Sequence, residues 1–431
     1  MQPRAPVETA IEPQFMRLLG NRTGIVNGVH TLQMEREAPD ASLSKPTTCD
    51  FAELADLGGE VSLGLGGKGK NLEETLMSSI GETVERYCLC WPEGVEEITE
   101  ATYEEMQERE TVVEYEHLDI FSEAVREEQL APFEYDTPIY WTSGTNMHTG
   151  EEVHIPAEHV WMSMGPMADR PTRFMGTSNG CAAGGSLESA ILGSIYELVE
   201  RDAFMQMWAR QDRPNKIDLD AYPRVKEFRD EHIDNEHLDV TLVDFGSSFD
   251  IPAVGAITVN QRDETPNFML GGGAAVDLET AMIDALVETI QGWPYATEMV
   301  IQHDGDEIVR SDMNDNFDVN VLYYARPENF DDVSHLLEGD TVDIESKYDF
   351  PADVGDWFVG EKLDYCLDQL EAADCTPVAF DLGTRDVEEL GFRVTRVFIP
   401  ELVMLSPPSL LPANHPQLDD VEVTDKPHPY P

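Results

Sequence analysis

Apolar residues recur along this chain with helical spacing in three places, and the three segments align with one another without gaps. NLEETLMSSIGETVER begins at Asn71, SLESAILGSIYELVER at Ser186 and DLETAMIDALVETIQG at Asp277. Each opens with a residue type that caps helices and continues with Leu and Glu. Apolar side chains then return every three or four positions, which predicts a helix with one buried face. A glycine-rich stretch precedes each one, GLGGKG, NGCAAGG or GGGAAV, where a backbone without Cβ can turn sharply or approach a neighbour closely. Runs rich in Val, Ile and Phe, from Asp239 to Phe245, Pro252 to Val259, Pro377 to Asp381 and Arg393 to Ile399, read as strands.

The segments start 115 and 91 residues apart, a period too long and irregular for a solenoid. The expected fold class is α/β, of the α+β kind, with pseudo-repeated helix and sheet units packed around one shared centre. Residues 1–60 are expected to form an N-terminal segment of the domain and 61–431 its core, as one compact unit. The acidic stretches from Glu104 to Glu128 and from Asp304 to Asp353 read as peripheral insertions.

Charge narrows the class. Lys and Arg number 28 against 85 Asp and Glu, a net charge of −57, and acids fill even the loops, as at Asp331-Asp332 and Asp419-Asp420. Such a chain is no binder of bare nucleic-acid phosphates and suits life in concentrated salt; in dilute buffer the same charges repel. No run of about 18 apolar residues occurs, and Met1 to Gln14 lacks the apolar stretch of a signal peptide, so a cytoplasmic protein without membrane contact is expected. Cys49, Cys88, Cys90, Cys181, Cys366 and Cys375 show no Cys-x-x-Cys spacing and read as reduced thiols. The eleven histidines have no metal spacing, and Trp208, Trp293 and Trp357 read as core.

The candidate chemistry lies on the repeated helices. The eleventh and fourteenth positions after each cap are Glu82 and Glu85, Glu197 and Glu200, then Glu288 and Gln291, and residues three apart share a helix face. Arg86 and Arg201 follow directly in the first two copies. One Glu-x-x-Glu-Arg is usually a solvated face with local ion pairs, but two at one register, behind matching glycine-rich stretches, argue for a paired site. Carboxylates converging from separate helices repel unless a hard cation lies between them. Oxygen-only ligation by Glu82, Glu85, Glu197 and Glu200 matches magnesium bridged to phosphates, for which Arg86 and Arg201 supply planar donors.

Together these residues resemble the YcaO family, from about Leu18 to the last residue. Ser78 to Arg86 is similar to that family's Ser-x-x-x-Glu-x-x-Glu-Arg nucleotide motif, Ser178 to Phe204 to its second and most diagnostic segment, and Gly66 to Asn71 to its glycine and lysine approach. The resemblance implies ATP and Mg2+ as cofactors, with Lys68, Ser78, Glu82, Glu85, Arg86, Ser186, Glu197, Glu200, Arg201, Glu288 and Gln291 around the nucleotide. It implies ATP-dependent phosphorylation of a peptide amide oxygen, which is expelled after a nucleophile attacks. A Cys, Ser or Thr side chain then gives an azoline, and an external sulfide a thioamide. The ending KPHPYP is similar to the Pro-x-Pro-x-Pro of azoline-forming cyclodehydratases and places the Pro431 carboxylate toward the reaction. Two positions depart from the pattern: Gly193 stands where Asn or Gln is common, and Tyr295 where the third motif often carries Arg. Arg173, Arg262 and Arg396 are the candidates to replace that arginine in space.

Only about seventy residues precede the first motif, so a peptide or protein substrate is expected to be presented by a separate ubiquitin-activating-enzyme-like (ThiF-like) or TfuA-like partner. A homodimer is expected as well. The contrasting class is a non-catalytic accessory or scaffold, such as one serving ribosomal-protein methylthiolation.

Overall fold

The computed structural model describes residues 15–20, 22, 24–32, 39, 42–51, 65–69, 71–90, 98–162, 171–174, 176–233, 235–262, 264–303, 308, 313, 317–351 and 353–431; the segment from Met1 to Gln14 lies outside them. The three repeated segments form the helices α1 (Leu72–Cys90), α2 (Leu187–Arg210) and α3 (Leu278–Gln302). Their caps act as the residue types predict. Asn71 Oδ1 accepts from the Glu74 N–H at 3.0 Å, the Ser186 hydroxyl from Ser189 N–H, and the Asp277 carboxylate from Thr280 N–H, so each helix begins with a first-turn donor satisfied.

Three sheets carry these helices. Strands β1 (Val26–Leu32), β2 (Ser42–Thr48) and β3 (Gly67–Gly69) form the first, antiparallel and in that order. The second runs β4 (Thr99–Ala101), β5 (Ile139–Asn146), β13 (Val378–Asp381), β14 (Arg393–Phe398) and β7 (Cys181–Gly184), with β6 (Glu152–Pro156) also paired to β5. The third runs β11 (Phe268–Ala274), β10 (Ala253–Asn260), β9 (Leu238–Asp244), β8 (Asn215–Ile217) and β12 (Thr341–Val342). The four apolar runs of the sequence are thus β9, β10, β13 and β14. All of β11 and the first six residues of β10 are buried, which explains their lack of apolar–polar alternation: both faces are covered.

The strands feeding the three helices, β3, β7 and β11, are each the end strand of a different sheet. Each helix packs on its own strand and on that of the next unit: α1 on β3 and β7, α2 on β7 and β11, α3 on β11 and β3. The units therefore close into a ring, which is the shared centre the irregular period predicts. Glycine makes the contact possible. A Cβ on Gly271 would lie 2.4 Å from the Thr289 nitrogen and 2.7 Å from the Ala285 carbonyl oxygen, so the β11 backbone rests directly on that of α3.

The two acidic stretches are not peripheral, in contrast to their reading from sequence. In the first, Met106, Val113 and Leu118 are buried in one core with Trp141 and Phe398. In the second, Tyr324, Val333 and Leu336 are buried with Phe204 and Trp208, and Ile344 lies in the core of α3. Among the described residues most of their acids are exposed, while scattered apolar residues carry the packing. Trp208 and Trp293 are buried and Trp357 packs partly exposed on Tyr365. All six cysteines are free thiols.

Candidate active site

The first glutamate of each pair is held by a glycine of the segment that precedes its helix. Gly66 N–H donates to Glu82 Oε2 at 2.9 Å, Gly180 N–H to Glu197 Oε2 at 2.6 Å and Gly272 N–H to Glu288 Oε2 at 2.7 Å. The other oxygen receives a cation. Arg86 Nη2 donates to Glu82 Oε1 at 3.4 Å and Arg201 Nη2 to Glu197 Oε1 at 3.1 Å. In the third unit Gly292 occupies the arginine position, and Lys68 Nζ crosses from the first unit to donate to Glu288 Oε1 at 2.9 Å. The ring closes chemically as well as sterically.

The second position points to the next unit. Glu85 lies 3.7 Å from Arg86 Nε and also feels Glu197; Glu200 lies 3.9 Å from Arg201 Nε and feels Glu288. Gln291 instead donates from Nε2 to the Gly69 carbonyl at 3.2 Å. Burial pushes the Glu85 carboxyl up to about 8, with Glu197 and Glu82 adding to the rise against the pull of Arg86. Burial, then Glu288, pushes Glu200 to about 7 against the pull of Arg201. Burial opposes the charge on Glu288 too, but Lys68 beside it holds its carboxyl below the ordinary range. Lys68 itself is held above its ordinary value by Glu288, although desolvation works the other way.

A cavity of about 450 Å³ opens between α2 and α3. Lys68, Ser78, Glu197, Glu200, Arg201 and Glu288 line it; Glu82, Glu85, Arg86, Ser186, Gln291 and Pro431 lie outside its wall. Ser186 is occupied as a helix cap. Two acids not singled out from sequence, Glu74 and Asp284, also line the cavity. For Asp284 the signal was present, because it, Ser78 and Gly193 hold the same register, seven residues after each cap.

Of the three candidate arginines, Arg396 stands closest in role to the site. It is only 1% exposed, donates from Nη1 to the Thr177 carbonyl at 2.6 Å, and sits in the field of Glu197 and Glu85. Arg173 donates to the carbonyls of Pro132 and Pro171, and Arg262 contacts His237. Tyr295 donates its hydroxyl to Asp318.

The donor set fits a cation bound with an anion. Carboxylates whose protons are held first by burial and then by their neighbours' charge are stabilised by a divalent ion between them. The Nε groups of Arg86, Arg201 and Arg396 are buried with no hydrogen-bond partner among the described residues, and guanidinium donors suit phosphate oxygens.

Three helices packed on sheet ends bring acid pairs with arginine companions around one centre, and comparison with known proteins gives the family. Residues 66–403 match the family model described as YcaO cyclodehydratase, ATP- and Mg2+-binding, and the chain belongs to this family. An uncharacterised protein of Methanothermobacter thermautotrophicus is 27% identical over 278 residues, 62% of this chain and 66% of the relative. An uncharacterised protein encoded in the tfuA 3′ region of Rhizobium leguminosarum bv. trifolii is 27% identical over 240 residues, 52% and 53% of the two chains. The chain thus spans between half and two thirds of the length of these relatives. Among solved structures, a heterocyclase in complex with substrate and cofactor superposes with a TM-score of 0.75 at 20% identity, covering 96% of this chain and 56% of that one. YcaO from Methanopyrus kandleri, bound with AMPPCP and Mg2+, superposes with a TM-score of 0.62 at 19% identity, covering 88% and 86%. The mixed helix and sheet fold expected from the sequence is that of YcaO structures. Among the described residues no helix is long and apolar enough to cross a membrane.

Proposed function

We propose that this chain phosphorylates a peptide backbone amide with ATP so that a Cys, Ser or Thr side chain of the substrate closes an azoline. The observation that carries the reading is that Glu85 lies in the field of Glu197 and Glu200 in that of Glu288 around the ring, beside buried Nε groups of Arg86, Arg201 and Arg396 that have no hydrogen-bond partner among the described residues. Glu82, Glu85, Glu197 and Glu200, with Glu288, hold Mg2+; Arg86, Arg201 and Arg396 take phosphate oxygens; Lys68 and Ser78 border the nucleotide from β3 and α1. Bound ATP supplies the phosphoryl group that makes the amide oxygen a leaving group. The chain's own part is positioning and charge neutralisation, which phosphoryl transfer chiefly requires. Pro431, one residue beyond Tyr430, belongs to the same reading as a group near the reacting amide. A homodimer, and a separate protein that presents the peptide, complete the proposal.

A second reading, thioamide formation with sulfide as nucleophile, is favoured by the relative encoded beside tfuA. A neighbouring gene for a small Cys-rich or Ser-rich precursor supports azoline formation, and a TfuA-like neighbour supports the thioamide.

The test is calorimetric titration of magnesium ATP into the protein in molar potassium chloride, alongside Glu200→Ala. Binding in the parent alone is expected. No binding by folded parent protein overturns the nucleotide reading and leaves a scaffold role.

A further inference from the structure

Tyr430 is fully buried, and its hydroxyl donates to Glu200 Oε1. Around it the Pro-rich segment from Lys426 to Pro431 is fixed at nearly every residue. Trp208 Nε1 donates to the Lys426 carbonyl at 3.2 Å, and the Tyr324 hydroxyl donates to that of Pro427 at 2.5 Å. Asn320 Nδ2 donates to both the His428 carbonyl, at 2.9 Å, and the Tyr430 carbonyl, at 2.6 Å. His428, also fully buried, lies 2.7 Å from the Ser406 carbonyl through Nε2 and accepts from Tyr430 N–H through Nδ1 at 3.2 Å. The tyrosine ring packs on Phe204 with centroids 4.6 Å apart, and the Arg201 guanidinium sits 5.2 Å from its centre.

The β11 strand is shaped for this hydroxyl. A Cβ on Gly272 would lie 2.0 Å from the Tyr430 oxygen and 3.0 Å from the Glu200 carboxyl carbon, so no other residue type leaves space there without displacing them. Gly272 thus serves two carboxylates at once: its N–H holds Glu288 and its bare Cα admits the pair formed by Tyr430 and Glu200.

We infer that Tyr430 is a positioning residue: its hydroxyl orients Glu200 for the metal and thereby links docking of the Lys426–Pro431 segment to metal binding at the α2 and α3 face of the cavity. The inference rests on the magnesium-nucleotide reading of the site. A carboxylate that keeps one oxygen on a fixed donor presents the other in one direction. Hydrogen-bond partners of metal ligands commonly set affinity by about 10- to 100-fold. Linkage is reciprocal, so whatever binds at Glu200 also holds the segment in its groove.

The experiment titrates Mn2+ into the full chain in molar potassium chloride with the β,γ-methylene analogue of ATP, read by electron paramagnetic resonance. Hydrogen exchange of residues 426–431 is followed in parallel. Tyr430→Phe keeps the ring and is expected to weaken Mn2+ by about 10-fold or more, with nucleotide binding restored at saturating Mn2+. Metal and nucleotide should slow exchange of the segment in the parent and less so in the variant. Parental Mn2+ affinity in Tyr430→Phe, or a defect that saturating Mn2+ does not repair, overturns the inference and leaves the nucleotide reading intact. Absence of Mn2+ binding in the parent overturns both. Asn320→Ala frees two carbonyls of the segment without touching the Tyr430 side chain and should lose Mn2+ affinity in the same direction. If Tyr430→Phe does not fold, this variant decides, and parental affinity in it overturns the inference.

Discussion

Glu85 and its neutral isostere Gln separate folding from ligand binding. The carboxyl is pushed up to about 8 by burial and by the neighbouring glutamates, so near neutral pH the apo protein keeps it largely protonated and loses little when it becomes an amide. Glu85→Gln is expected to unfold in urea within about 0.5 kcal/mol of the parent, yet to lose the rise in melting temperature that magnesium ATP gives the parent by binding the native state. Gly272→Ala should lose stability as well as ligand, because the added methyl displaces the Tyr430 hydroxyl and the Glu200 carboxyl together. Overpacking against Tyr430 and Glu200 is expected to lower stability by about 1–3 kcal/mol, measurable in the same urea titration. His428 adds a pH dependence of known sign. Its folded value is lowered to about 4 by burial, so its contribution is present above the ordinary value near 6.5 and is lost as pH falls toward 4. That amounts to about 3 kcal/mol when complete. Urea unfolding of the parent and of His428→Gln at pH 7 and pH 4.5 should differ by this component.

At the scale of elements, the three repeated helices were readable from the sequence because cap, apolar period and preceding glycines agreed with one another. The glutamate register followed from them. Strands β8 and β12, of three and two residues, carry too little pattern to read. The acidic stretches misled for a different reason: solvent-facing acids surround Met106, Leu118 and Val333, so composition hid the few positions that pack. The contacts that complete the site were beyond any local pattern, since Lys68 meets Glu288 across 220 residues and Tyr430 meets Glu200 across 230. Arg396 could be named from sequence but not ranked, because only the pairing of β14 with β7 sets it opposite Cys181. The Pro-rich ending was legible as a motif; that it is buried against Phe204, Trp208 and α4 (Phe317–Tyr324) is a tertiary fact. Removing Lys426–Pro431 uncovers those aromatic rings, and is expected to lower the melting temperature and to raise binding of a hydrophobic dye.

For the whole molecule the dominant number is the net charge of −57. Screening shortens from a Debye length of about 10 Å at 0.1 M salt to about 3 Å at 1 M, so self-repulsion of the folded state falls steeply over that range. The melting temperature should therefore climb between 0.1 and 2 M potassium chloride, and a flat profile by scanning calorimetry would count against adaptation to salt. Acids that face outward from a well-packed interior explain how the chain carries this charge without losing its core.

The closed ring has a further consequence, for the order in which the molecule is made. A solenoid gains structure with each repeat that leaves the ribosome, whereas here the first unit waits for the third: Lys68 has no Glu288, and β3 no α3, until some two hundred residues later. Long-range closure of this sort slows folding. A nascent chain broken off before Asp277 lacks α3 and Glu288, so neither the Lys68–Glu288 ion pair nor the third wall of the cavity can form until that part of the polypeptide has emerged.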